Sequence, residues 1–230
     1  MAAGKSLTRF YVALAVIAVV GGVLIARAAM TKKQSPLTAD TVAPLASGPR
    51  GVVLGSDSAP VELMEFSDFE CPWCARYDVL QMPDIRQRIV STGRLRIRFV
   101  HYPLAIHQKS PYAHLAAACA NEQGRFWEMV DVIFGNQDDW VESSNPSDVL
   151  DGYARRVGLD MGRYRSCVSE RREWGRVQAD KKLGDSLGVS GTPTFYVNGH
   201  LWPDAPSADQ VLHIVDSIAP IRGAAPARPR

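Results

Sequence analysis

Apolar and polar positions change their period several times along the chain. Phe10 to Ala26 (FYVALAVIAVVGGVLIA) runs seventeen residues without a charge, with Lys5 and Arg9 before it and Arg27, Lys32 and Lys33 after it. That length lies at the short end of a membrane-spanning helix and is slightly long for a signal-peptide core. The segment is expected to be an uncleaved anchor; the other readings are a signal cleaved at Ala26-Arg27-Ala28 and a buried core helix. Thr31 to Arg50 is polar, holds three prolines and shows no apolar period, which predicts a semi-extended tether. Val61 to Phe66 is a β-compatible run with Glu65 embedded in it. Leu95 to Val100 alternates apolar and basic residues, the period of a strand with one wet face. Between these runs, Pro72 to Val90 reads as a helix that Pro83 should kink or break, because proline removes an amide donor.

From Ser110 to about Leu187 the pattern is helical throughout. Ser110 is expected to cap the first helix, with Pro111 at its first position, and Tyr112, Leu115, Ala116 and Cys119 recur at helical spacing. Further helices are expected to start near Arg125, Ser147, Asp160 and Arg172. Asn198-Gly199 between two apolar runs predicts a tight hairpin, since both turn positions need positive φ. Ser207-Ala208-Asp209-Gln210 has the capping-box spacing and opens a last helix reaching about Ile218. The order is strand, helix, strand, helical block, hairpin, helix, an α/β layout with an insertion at about 105–187. The expected organisation is an anchor or signal at 1–30, a linker at 31–50, one folded domain at 51–220 and a solvated tail at 221–230. There is no internal repeat.

Composition narrows the class. Of 230 residues 46% are apolar and 22% charged, an ordinary globular balance that excludes collagen, coiled coil and wholesale disorder. Twenty-six basic residues against twenty-four acidic leave +2, too even to suggest a nucleic-acid partner. The five histidines form no ligand set in the sequence.

Chemistry concentrates at Cys71-Pro72-Trp73-Cys74, where a strand ends and a helix begins. The i, i+3 spacing puts both sulfurs on one side of the first turn. The first cysteine sits where unpaired amides and the helix dipole stabilise a thiolate. Cys71 is therefore the expected nucleophile, and Cys74 the thiol that resolves a mixed disulfide. Spacing alone leaves a zinc site and two incidental cysteines open, although Cys119 and Cys167 stand 48 residues apart and form no second close pair. Asp68 and Glu70 are expected to be solvated loop charges. His101, at a strand end, is either a supporting donor or an ordinary strand-end residue.

The run Glu65-Phe66-Ser67-Asp68-Phe69-Glu70-Cys71-Pro72-Trp73-Cys74, with Pro83, His101-Tyr102-Pro103-Leu104, Asn121 to Met129 (NEQGRFWEM) and Gly191-Thr192-Pro193-Thr194-Phe195, resembles the DsbA-like branch of the thioredoxin-fold thiol–disulfide oxidoreductases. The resemblance covers about residues 51 to 220. It implies a thioredoxin fold with a helical insertion between a βαβ half and a ββα half. Pro193 matches that family's cis-proline, with Thr192 before it, and would offer an edge for an extended substrate. Glu65 matches an acidic residue six places before the nucleophile; inside an apolar strand its pKa should be raised, so that it could pass protons to Cys74. Trp73 is expected to help hold apolar substrate segments. In an oxidising compartment Cys119 and Cys167, each on an apolar helix face, would form a structural disulfide; the alternative is two buried thiols.

The resemblance further implies a monomeric enzyme, with no metal or other cofactor, on the outer side of a cytoplasmic membrane that introduces disulfides into exported polypeptides. A quinone-linked membrane protein of the DsbB or vitamin-K-epoxide-reductase-like type would reoxidise it. Release to the periplasm or medium follows if the N-terminal segment is cleaved. A reductase or isomerase of the same fold, and a peptide-binding or chaperone module with a static disulfide, are the competing readings.

Overall fold

The computed structural model describes residues 50–220. The expected anchor or signal, most of the tether and the tail lie outside the described residues. Among those described, no helix is long and apolar enough to cross a membrane.

Five strands form one mixed sheet: β1 (Val52–Leu54), β2 (Val61–Ser67), β3 (Leu95–His101), β4 (Thr194–Val197) and β5 (His200–Trp202), in the spatial order β1-β3-β2-β4-β5. β2 and β3 are parallel, as a strand–helix–strand crossover requires, and the other neighbours are antiparallel. The crossover is helix α1 (Pro72–Arg88), followed by a 3₁₀ turn at Val90–Thr92. Central β2 is buried along nearly its whole length. On one face Val61, Leu63, Ile97 and Phe195 pack with Ile85 of α1 and with Val211 and Val215 of the C-terminal helix. On the other, Met64, Phe66, Val100 and Tyr196 pack around Tyr102. Glu65 follows Leu63 at period two, so its carboxyl enters the α1 side of the core.

The insertion comprises α2 (Ser110–Asn121), α3 (Phe126–Gly135), α4 (Gln137–Glu142), α5 (Pro146–Arg156), α6 (Met161–Ser169) and α7 (Trp174–Ser186). Its core joins Phe126, Met129, Ile133, Trp140, Leu150 and Tyr164 and continues to Phe69 and both active-site cysteines. Cys119 of α2 and Cys167 of α6 are bonded to each other and fully buried. α7 returns the chain to the sheet where Gly184 meets Tyr102; a Cβ there would lie 2.5 Å from the ring. The hairpin turn has Asn198 and Gly199 at positive φ, and α8 (Ala208–Ile218) opens on the complete Ser207/Gln210 capping box.

Three local expectations fail. α1 continues through Pro83. The carbonyl that loses its partner there belongs to Val79, a half-exposed residue, so water can replace the missing amide. Ser110 does not cap α2: Lys109 occupies the N-cap and the Ser110 hydroxyl donates to Asp68 instead. Asp68 is completely buried, for reasons set by the site.

Candidate active site

Cys71 is the N-cap of α1, with extended backbone (φ −76°, ψ 121°), and Pro72 takes the first helical position where its missing N–H costs nothing. The turn closes with the Cys71 amide donating to Asp68 O and the Ala75 amide donating to Cys71 O, both at 3.1 Å. Both active-site cysteines are buried free thiols. Cys71 Sγ lies 3.3 Å from the carbonyl oxygen of Thr192. The Thr192–Pro193 peptide bond is cis. Beneath, Cys74 Sγ receives the Asp68 amide at 3.5 Å.

The two thiols are pushed apart in acidity. A hydrogen bond from the Cys74 thiol, outweighing burial, lowers the Cys71 pKa to about 5, helped by Thr192 and by the amides of Cys74 and Trp73. Burial, then the neighbouring Cys71 sulfur and the Glu65 carboxyl, push Cys74 well above the ordinary thiol range. Burial and the Asp78 carboxyl push Glu65 up to about 8, so it is protonated at neutral pH. Its Oε1 is buried and finds no hydrogen-bond partner among the described residues. Asp78 is raised to about 7 by burial, against the Arg86 guanidinium 3.8 Å away.

Trp73 projects from the first turn with 66% of its surface exposed, and the Arg76 guanidinium lies 5.8 Å from its ring. A cavity of about 450 Å³ opens beside it, lined by Trp73, Arg76, Leu80, Thr192 and Pro193. The structure thus brings Cys71, Cys74, Trp73, Thr192 and Pro193 together, with Trp73 largely exposed, both thiols buried and the Glu65 carboxyl close enough to act on Cys74. Cys119 and Cys167 lie in the insertion, bonded to each other.

Sequence reasoning missed how the active-site turn is held. Asp68 Oδ2 accepts the Leu104 amide at 2.8 Å and meets His107 Nδ1 at 2.7 Å; Oδ1 accepts the Glu70 amide at 3.0 Å and the Ser110 hydroxyl. Burial alone would raise its pKa, but His114, Ser110 and the Leu104 amide outweigh it and hold the carboxyl well below the usual range. Glu70 is likewise no solvated charge: its Oε2 accepts the Lys109 and Ser110 amides at 2.7 and 2.6 Å. Behind Asp68, His101 is fully buried and its Nδ1 lies 2.8 Å from Nδ1 of His114, so one ring must donate to the other. Gln137 Nε2 donates to the carbonyls of Phe69 and Cys71. No local signal marks these residues, because apart from the Glu70 amide on Asp68 their partners are 13 to 68 positions away.

Parallel β2 and β3 joined by α1, a C-x-x-C at that helix's N-terminus and a facing cis-proline define a thioredoxin-type α/β protein. The chain belongs to the thioredoxin family: residues 47–217 match the family model described as Thioredoxin. Its helical insertion makes the fold DsbA-like. It superposes on the crystal structure of α-DsbA1 from Wolbachia pipientis with a TM-score of 0.65, at 20% identity, over 74% of this chain and 92% of that one. It is 29% identical over 152 residues to the Bacillus cereus protein named "Probable disulfide bond formation protein D", covering 64% of this chain and 70% of the relative. It is 40% identical over 151 residues to "Na(+)/H(+) antiporter NhaA 3" of Salinispora tropica, covering 65% of this chain but 22% of that protein. The chain thus spans about a fifth of the antiporter relatives it matches.

Proposed function

We propose that this protein is a thiol–disulfide oxidoreductase that uses Cys71 and Cys74 to introduce disulfides into exported polypeptides. The observation that carries the reading is the juxtaposition of an acidic Cys71 thiol, on the N-cap residue of α1, with the carbonyl of Thr192, 3.3 Å away at the cis-Pro193 bond.

The active form carries a Cys71–Cys74 disulfide. A substrate thiolate attacks Cys71 Sγ, the Cys71–Cys74 bond breaks, and a Cys71–substrate disulfide forms. Cys74 leaves as a thiolate and takes a proton, which its raised pKa favours; the protonated Glu65 carboxyl supplies it and is reprotonated from solvent. The substrate's second thiolate then attacks the substrate sulfur of the mixed disulfide. Cys71 departs as a thiolate, the substrate has lost two electrons, and the protein holds both as a dithiol. Low Cys71 pKa makes that thiolate a good leaving group and stabilises the reduced protein, which is the thermodynamic mark of an oxidant rather than a reductase. An extended substrate fits the edge at Thr192 and Pro193, with apolar side chains against Trp73 and the adjoining cavity.

Tethering by Phe10 to Ala26 would keep the domain on the outer side of a cytoplasmic membrane, where disulfides persist. Reduced Cys71 and Cys74 would return their electrons to a quinone-linked membrane protein of the DsbB or vitamin-K-epoxide-reductase-like type. The test is a Cys74→Ala variant expressed in cells. Mixed disulfides with exported proteins, carried by Cys71, are expected to accumulate; trapped partners that are dedicated electron donors would make the protein a reductase, and no Cys71-linked adduct would refute exchange at this site.

A further inference from the structure

Every residue from Asp68 to Cys71 is fastened to the insertion or to the loop leading into it. Asp68 and Glu70 hold the 104–110 segment through their carboxylates. Phe69 and Cys71 are held through their carbonyls, and by one side chain. Gln137, the first residue of α4, donates to Phe69 O at 2.6 Å and to Cys71 O at 3.0 Å. Both bonds leave the same nitrogen, so its two hydrogens are divided between carbonyls on either side of Glu70.

Those carbonyls matter for the sulfur. Cys71 owes its acidity first to the Cys74 thiol, which outweighs burial, and then to Thr192 and the amides of Cys74 and Trp73. Its own carbonyl carries the negative end of a peptide dipole within the same residue; the Ala75 amide, 3.1 Å away, compensates part of it, and a thiolate is disfavoured by what remains. The Gln137 amide nitrogen, 3.0 Å from the same oxygen, adds further positive density. It also fixes the turn from Phe69 to Cys71 through the carbonyls at both of its ends.

We propose that Gln137 is a positioning residue for the Cys71 thiolate, through which the helical insertion sets the reactivity of the cysteine pair. The inference rests on Cys71 being the exchange nucleophile.

The test uses the purified full chain in its dithiol form and reads two quantities: the pH midpoint for alkylation of Cys71 by iodoacetamide, and the dithiol–disulfide equilibrium against glutathione. Gln137→Leu keeps the approximate volume but cannot donate. It is expected to lower the acid constant of Cys71 by about three- to tenfold, the effect of a hydrogen bond near a charge, and to make the protein a weaker oxidant by a similar factor. Gln137→Glu places an acceptor against two carbonyls and should shift both further in the same direction. Gln137→Lys restores a donor with positive charge and should hold the midpoint at or below that of the parent protein. The control is Gln123→Leu. Gln123 makes two bonds to the Asp160 backbone inside the insertion and touches nothing in the active-site turn. It should lower the melting temperature and leave both readouts in place.

A Gln137→Leu protein that melts earlier but alkylates and equilibrates like the parent would reduce Gln137 to a structural stitch and overturn the proposal. So would Gln137→Lys shifted as far as Gln137→Leu. An ordinary thiol midpoint in the parent protein would instead remove the exchange nucleophile itself.

Discussion

Within the site, three ionisable groups stacked through the protein divide the chemistry between them. Cys71, 4% exposed, is acidic, the fully buried Cys74 is not, and Glu65 is held neutral by burial. Glu65 carries a signature separable from catalysis. Its pKa is raised from 4.5 to about 8. Below 4.5 it is protonated in both folded and unfolded chains. Between 4.5 and 8 the unfolded chain releases the proton and the folded one keeps it, so rising pH removes stability, by at most about 1.4 kcal/mol per pH unit from this group. Glu65→Gln should therefore flatten urea-denaturation stability across pH 5–8 relative to the parent protein. It should also slow disulfide exchange at neutral pH by about tenfold or more, since a neutral amide cannot shuttle the proton. A parent-like pH slope in the variant would show that Glu65 is already ionised in the folded protein.

At the level of elements, what could be read from the chain was what is encoded locally. The hairpin and α8 are legible because Asn198-Gly199 and the Ser207/Gln210 capping box state their conformations within four residues. The helical block is legible by period, and Asp160 caps α6 through the amides of Gly162 and Arg163. β1 was missed because three residues carry no alternation and exist as a strand only through pairing with Ile97 to Phe99. α4 was not told apart as a helix of its own because it is six residues long and only Asn136 separates it from α3. The same limit hid the insertion's hold on the active-site turn: Asp68, Glu70 and Gln137 look like surface residues until the chain is folded. The Cys119–Cys167 bond has its own consequence. It joins α2 to α6 across 48 residues, and in the chain-entropy model such a link stabilises a fold by about 4 kcal/mol. Cys119→Ala with Cys167→Ala should lower thermal stability markedly while leaving the Cys71 alkylation profile in place. Loss of exchange in a variant that remains folded would give that bond a redox role.

For the whole molecule, the arrangement has a division of labour. The sheet supplies a rigid floor, with β2 ending at Ser67, just before the active-site turn, and β4 beginning directly after the cis-proline. The insertion presses on the opposite side of the same turn, and its core runs without interruption into Phe69 and Cys74. A thiol in that setting is held between two packed bodies, which keeps the donors around it in place when the sulfur ionises and costs little reorganisation. The central claim is that this framework makes Cys71 an unusually strong acid. Ultraviolet titration of the reduced protein, following thiolate absorbance against the same signal in a Cys71→Ser variant, measures it directly. The expected Cys71 midpoint is near pH 5; a midpoint at or above that of a free cysteine thiol would show that the framework leaves the sulfur's acidity unchanged.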